Sequence, residues 1–202
     1  MSRRRATSRR LGTGLRRALA ALLTLAGLGL TVQAAWIPAK AALAQGLLER
    51  AFARSLASGR PARPWPWADT EPVARLTVLG RSFVVLRGGS GQALAFGPGH
   101  LDGTPEAGAP GTAVFAAHRD TQFAGLGRLG PGDPVVVTGR DGRTRLFRVT
   151  GTRVARWDAS GIDPQAPGRH LDLVTCWPLE ALQAGPLRLI VETALVQEAG
   201  RP

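Results

Sequence analysis

The sequence predicts a mostly β domain, a sandwich or small barrel of seven or eight strands, behind one amino-terminal membrane helix. Three observations carry this. Short apolar runs separated by Gly, Pro and Asp recur from residue 73 to 196. No long helical pattern interrupts them. Residues 18–39 carry no charge and directly follow a block of arginines. With 202 residues, 44% of them hydrophobic and 20% charged, the chain has room for one domain and an appendage. Its composition excludes a disordered chain and a multi-span membrane protein.

The basic arm, residues 1–17, holds seven arginines (Arg3, Arg4, Arg5, Arg9, Arg10, Arg16 and Arg17), and Lys40 is the only lysine. From residue 41 onward eighteen basic residues meet fourteen acidic ones, so most of the formal net charge of +12 belongs to the amino terminus. A nucleic-acid partner would need a recognition fold behind the arginines; an uncharged Ala/Leu run stands there instead, and nucleic acid is not expected. That run, 18–39, is long enough to cross a bilayer at about 1.5 Å per residue. Arginines on its amino side predict a cytoplasmic amino terminus and an extracytoplasmic domain, periplasmic if the cell has an outer membrane. Ala42-Leu43-Ala44 has the form of a signal-cleavage site, but signal cores usually run about 7–15 residues, so an uncleaved anchor is expected.

Residues 40–68 read as a juxtamembrane helix, with Leu43, Leu47, Leu48, Ala51 and Leu56 at helical spacing, followed by a Pro- and Trp-rich linker. Two placements are open to Trp65 and Trp67, the lipid headgroup zone and the flank of the domain. The domain itself is expected over 69–199. Its candidate strands are Val73–Leu79, Ser82–Leu86, Ala113–Ala117, Pro134–Thr138, Thr144–Val154, Leu171–Thr175 and Leu187–Val196. Asp141-Gly142 predicts a tight hairpin. The Gly/Pro-rich stretch 97–111 reads as a long loop of the kind that borders sites. Gly88-Gly89-Ser90-Gly91 lacks the Lys-Ser/Thr of a phosphate cradle and reads as a turn. No metal site is expected, because the three histidines lack ligand spacing and the acids are scattered.

The single cysteine, Cys176, cannot form an internal disulfide and is either an inert buried thiol or a nucleophile. A reactive thiol needs a histidine and a group for the oxyanion. His118 ends one apolar run, Cys176 ends another, and Arg188 opens the last. Strand alternation puts Leu171, Leu173 and Thr175 on one face and Cys176 on the other. On the final strand it turns Leu187, Leu189 and Val191 inward and Arg188 outward. The short connection 177–186 favours antiparallel neighbours, bringing Arg188 beside the sulfur.

Three segments, in order, then carry a family resemblance: Ala116-Ala117-His118-Arg119-Asp120-Thr121-Gln122-Phe123, Leu173-Val174-Thr175-Cys176-Trp177-Pro178 and Pro186-Leu187-Arg188-Leu189. Over about 73–196 the chain resembles the sortases, membrane-anchored cysteine transpeptidases. Its His-Arg-Asp-Thr and Cys-aromatic-Pro patterns are more like classes D and E than class A. The approach Trp65-Pro66-Trp67-Ala68-Asp69-Thr70 is similar to that of a subgroup from Gram-negative proteobacteria. The resemblance implies a closed β-barrel of about eight strands with short helices, and no cofactor. It also implies a protein substrate with a C-terminal Leu-Pro-x-Thr-Gly-like sorting signal, an amine acceptor, and lipid contact through 18–39.

By the same resemblance Cys176 attacks the carbonyl, His118 protonates the leaving amine and deprotonates the incoming one, and Arg188 holds substrate and oxyanion. Thr175 contributes to the oxyanion hole. Two roles are open to Asp120, orienting the histidine loop and capping the turn at Thr121. His100, in its glycine loop, is the alternative base, and with Trp177 a candidate for lining the substrate groove. His170 lies at the far end of the cysteine strand. Asp172 departs from the family, which often has Thr there.

Two other cysteine chemistries fit less well. An L,D-transpeptidase places Ser-His-Gly-Cys at its nucleophile, where this chain has Val174-Thr175-Cys176. A papain-like hydrolase has cysteine before histidine. The contrasting expectation is a membrane-tethered β module that binds a partner and catalyses nothing, with an unreactive Cys176.

Overall fold

Residues 4–181, 183 and 185–200 are described by the structure, a computed structural model. The start of the basic arm, Arg3 included, lies outside the described residues. The chain divides into two compact units, Met1–Leu43 and Ala44–Pro202.

Helix α1 spans Arg4–Ser58 as one element of 55 residues, where the sequence predicts an anchor and a separate juxtamembrane helix. In the first unit its window Gly14–Thr31 has a mean hydropathy of 1.2 and exposed side chains; it is a helix apolar and long enough to cross a membrane. The hydroxyls of Thr24 and Thr31 donate back to the carbonyls of Ala20 and Gly27, which leaves no hydroxyl proton unpaired on that apolar surface.

In the second unit α1 changes character. Ala44, Leu48, Ala51, Phe52 and Ser55 are buried at helical spacing, a one-sided stripe. Leu48 and Phe52 pack with Val84, Leu86 and Ala93 of the domain. Arg75 pairs with Glu49 and lies over the Phe52 ring, 5.2 Å from its centre. The buried face of residues 44–58 therefore packs into the folded domain. Gly59, at φ 67°, terminates the helix in the left-handed conformation that glycine adopts without a Cβ penalty. In the linker Trp65 packs edge-on against Phe96, centroids 5.3 Å apart, so the flank receives it. Trp67 remains 77% exposed.

Eight strands close a barrel: β1 Pro72–Val78, β2 Arg81–Arg87, β3 Gly99–His100, β4 Gly111–Ala116, β5 Pro134–Gly139, β6 Thr144–Arg156, β7 Arg169–Trp177 and β8 Leu187–Ala199. Around the barrel the order is β1-β2-β3-β4-β7-β8-β6-β5. The seven expected strands are present with shifted ends, and β3 is new. It lies inside the stretch predicted as a loop, pairing parallel with β2 and antiparallel with β4. A Cβ on Gly99 would stand 2.2 Å from the Gly88 carbonyl oxygen, so only glycine permits this approach. The expected turn at 88–91 opens α2, Gly91–Phe96, where Ser90 caps by accepting from the Ala93 N–H at 3.1 Å. The hairpin at Asp141-Gly142 joins β5 to β6, with Gly142 at φ 77° and its N–H donating to the Gly139 carbonyl.

The barrel interior is apolar, built from inward residues such as Leu76, Phe115, Val137, Phe147, Leu171, Leu173 and Val191. A second patch forms outside it, where Val114, Val174 and Ile190 lie beneath Leu101 and Ile162. Loops thus cover part of the outer face of β4, β7 and β8.

Candidate active site

The parallel β4–β7 pairing fixes one coordinate of the site. Gly111 pairs with Arg169 and each step follows to Ala116 with Val174. The Ala117 N–H still donates to the Val174 carbonyl at 3.1 Å. The same offset carried two residues on sets His118 level with Cys176. The antiparallel β7–β8 pairing fixes the other coordinate, with Cys176 directly opposite Arg188. Cys176 and Arg188 therefore form one row, and the β4 offset, continued past its last pair, brings His118 to the same row at the end where β4 and β7 finish.

Alternation turns this row outward. Thr175, Leu173 and Leu189 are buried toward the interior, whereas Cys176 and Arg188 are half-buried and His118, just past β4, is exposed. A half-buried thiol on the outer face can be reached by a substrate, unlike one packed in the barrel.

Thr175 does not share that face. Its side chain is buried and donates to the Ala117 carbonyl at 2.8 Å. The expectation of an oxyanion contact meets a different placement: the hydroxyl ties the base of the histidine loop to the cysteine strand from the interior side. Asp120 is exposed, and among the described residues its carboxylate enters no hydrogen bond or ion pair. The loop it sits in closes instead through the Phe123 N–H on the His118 carbonyl at 3.1 Å.

His100 lies on the barrel's inner side. It pairs with inward-facing Phe115, meets that ring edge-on, and its Nε2 is 2.9 Å from the Pro105 carbonyl oxygen and 3.1 Å from Thr104 Oγ1. The structure does not bring it to the row of Cys176, because β3 turns it away. His170 lies three rows back along β7, near the Pro167 carbonyl. Trp177, expected at a groove, lines one of about 620 Å³ with Arg81, Gly125, Arg128 and Leu179.

Arg119, in the histidine segment, has a structural part that its residue type does not announce. Its guanidinium donates to the carbonyls of Pro178 at 3.1 Å, Gln183 at 2.9 Å and Ala181. One side chain beside His118 thus holds the loop that follows Cys176. Arg188 grips the same loop from its other end, donating to the carbonyls of Gly185 at 2.7 Å and Leu187 at 2.8 Å. The motif signals that Arg119 matters; its partners depend on a loop conformation that residue types do not specify.

Asp172 lies two rows behind Cys176 on the same face of β7. It is buried opposite Glu192. Burial, and then the Glu192 carboxylate, push its pKa up to about 6, with Arg153 and His170 pulling the other way. Among the described residues no group of three or more His, Cys, Asp and Glu side chains could hold a metal ion.

A sortase domain matches residues 75–196, more than half of the chain. No curated protein matches the sequence at a comparable level. Solved structures are similar to it. Sortase A from Corynebacterium diphtheriae is 24% identical over 65% of this chain, with a TM-score of 0.57, and the chain spans 63% of that protein's length. Sortase E1 from Streptomyces coelicolor, solved with a tripeptide in the active site, is 27% identical over 65% of this chain and 94% of its own, with a TM-score of 0.56. A Clostridium perfringens sortase D5 transpeptidase covers 77% of this chain and 99% of its own at 17% identity, with a TM-score of 0.62. The chain belongs to the sortase family, whose members are cysteine transpeptidases.

Proposed function

We propose that this protein is a membrane-anchored cysteine transpeptidase of the class D or E type, akin to the proteobacterial subgroup. It cleaves a Leu-Pro-x-Thr-Gly-like C-terminal sorting signal and passes the acyl group to an amine. The single observation that carries this reading is the pairing of Cys176 with Arg188 across β7 and β8, beside a β4 register that ends two residues before His118.

The chemistry follows from that arrangement. Cys176 passes its thiol proton to His118, its Sγ attacks the carbonyl carbon of the scissile bond, and negative charge moves to the carbonyl oxygen. Arg188, the neighbour in the ladder, supplies a guanidinium for that oxyanion. His118 protonates the departing amine nitrogen, the C–N bond breaks, and a thioester remains on Cys176. An incoming amine gives its proton to His118 and attacks the thioester, forming a new amide and returning the thiol. Thr175 and Arg119 act as positioning residues, the first through the carbonyl of Ala117 and the second through the loop after the nucleophile.

The apolar segment 18–39 anchors the chain, with the arginine arm cytoplasmic and the catalytic domain outside. The reading is tested by transfer of a labelled peptide to a glycine amine, followed by chromatography, on the full chain in micelles. Cys176→Ala and His118→Ala are expected to abolish transfer. Undiminished transfer by Cys176→Ala would overturn the assignment.

A further inference from the structure

The outer face of β7 carries a second polar site, two rows back from Cys176. A groove of about 300 Å³ opens there, at the lower end of the range for small-molecule sites, lined among others by Arg153, Asp163, His170, Asp172 and Glu192. The strip of Val114, Val174 and Ile190, under Leu101 and Ile162, separates it from the nucleophile's row. The groove is a site apart from the one at Cys176.

Most of its charged groups are engaged. Arg153 donates through Nε to Glu192 Oε1 at 2.5 Å and through Nη1 to the Ser160 carbonyl, and Asp163 accepts from the Gln165 N–H at 2.9 Å. Asp172 is different. It is 5% exposed and among the described residues makes no hydrogen bond or ion pair. The one unpartnered side-chain polar atom sealed from solvent among those residues is Arg145 Nε, so the Asp172 carboxylate is not sealed; it opens into the groove it lines. Asp172 also stands directly opposite Glu192 in the β7–β8 ladder, a like-charge pairing that destabilises. With its pKa at about 6 it is ionised at neutral pH, a buried carboxylate without the donor that usually offsets desolvation.

We infer that this groove binds a small organic cation, a free amine or guanidine compound, whose N–H groups donate to the Asp172 carboxylate and to Glu192. Charge-assisted bonds to two carboxylates at ladder spacing suit one ammonium or guanidinium. A metal ion suits them less, since among the described residues no group of three or more His, Cys, Asp and Glu side chains could hold one. Gly161, Ile162 and Asp163 form one wall of the groove, and Ile162 also covers the apolar strip, so an occupant braces the β6–β7 segment against the barrel. The charged groups facing Asp172 are Glu192 from β8, Arg153 from β6, His170 from β7 and Asp163 from the β6–β7 loop; β4 contributes only uncharged Thr112 and Val114.

Isothermal titration calorimetry of agmatine into the full chain, in micelles of a neutral detergent at pH 7.5, tests this, with 1,4-butanediol and calcium chloride as the uncharged and metal comparisons. Agmatine is expected to bind with a Kd on the order of 0.1 mM, and the diol not at all. Asp172→Asn and Asp172→Thr should each weaken agmatine about 10-fold, as should pH 5 in the parent chain. Cys176→Ala should bind as the parent does, so the result is independent of the transpeptidase reading. No agmatine binding to the parent chain, affinity kept by both Asp172 variants or at pH 5, or calcium bound more tightly than agmatine overturns the site. A loss of binding in Cys176→Ala would place the ligand at the nucleophile and overturn it equally.

Discussion

Cys176 and Arg188 stand directly opposite one another across the antiparallel β7–β8 ladder. The guanidinium is not idle there, because it donates to the carbonyls of Gly185, in the loop that joins the two strands, and Leu187, the first residue of β8. Its Nη1 is engaged there, and among the described residues its other donors make no hydrogen bond.

Replacing Arg188 should therefore damage the chemical step more than binding. Arg188→Ala is expected to lower kcat by about 10²–10³, the usual effect of removing one oxyanion donor. Arg188→Lys, a point charge without the planar fork, should recover only part of it. Steady-state kinetics with a sorting-signal peptide measures both. A large rise in KM with kcat unchanged would assign Arg188 to uniform substrate binding instead.

Arg119 binds three carbonyls of the β7–β8 loop from a position beside His118. Arg119→Ala should loosen the loop after the nucleophile and cut kcat roughly 10-fold, since small misplacement of reacting groups is costly. The melting temperature should move little. Arg119→Lys should give intermediate kcat, and equal kcat in all three proteins would show that the loop needs no such tether.

The amphipathic end of α1 makes a prediction about boundaries. Phe52 is fully buried against β2, so Phe52→Ala should cost about 3–5 kcal/mol in urea denaturation. A chain beginning at Arg60 lacks Leu48 and Phe52 and should be less stable than one beginning at Ala44. Equal midpoints for the two would mean that this contact contributes nothing.

Asp172 gives stability a pH dependence. Its folded-state pKa of about 6 lies above the ordinary 3.8, so between these values the folded chain holds the proton more tightly than the unfolded one. Stability then falls as pH rises through this window, and the penalty is complete above about pH 6, with an upper bound of about 3 kcal/mol. Asp172→Asn cannot ionise and should melt several degrees higher than the parent chain at pH 8, but at the same temperature at pH 4. Calorimetry at the two pH values checks this, and an equal gain at both would place the effect in packing.

Much of this architecture is legible in residue pattern, and the exceptions have physical causes. Alternation along 171–176 and 187–191 turned Cys176 and Arg188 to one face, and the short connection made them neighbours, because period-two patterning and loop length are local properties. The seven expected strands appear for the same reason. Strand β3 was hidden because two residues, Gly99 and His100, carry no periodicity; their place depends on β2 and β4 closing around them. His100 faces inward as a result, which its glycine-rich surroundings do not reveal. Thr175 was legible as important, but its bond to Ala117 depends on the parallel β4–β7 pairing, a contact across 58 residues. The stripe through Leu48 and Phe52 is visible in sequence, yet that it faces the barrel rather than a bilayer depends on β2 and α2 offering an apolar seat.

In the proposed mechanism Cys176 is the nucleophile that becomes acylated, served by His118 and Arg188. Intact-mass spectrometry of the full chain in micelles, incubated with a Leu-Pro-x-Thr-Gly peptide library, tests it most directly. The expected result is an acyl adduct on Cys176 that hydroxylamine removes, that is absent in Cys176→Ala, and that does not form in His118→Ala on the same timescale. A folded protein that forms no adduct with any peptide, and whose Cys176 also resists iodoacetamide, would contradict it and leave a membrane-tethered binding module.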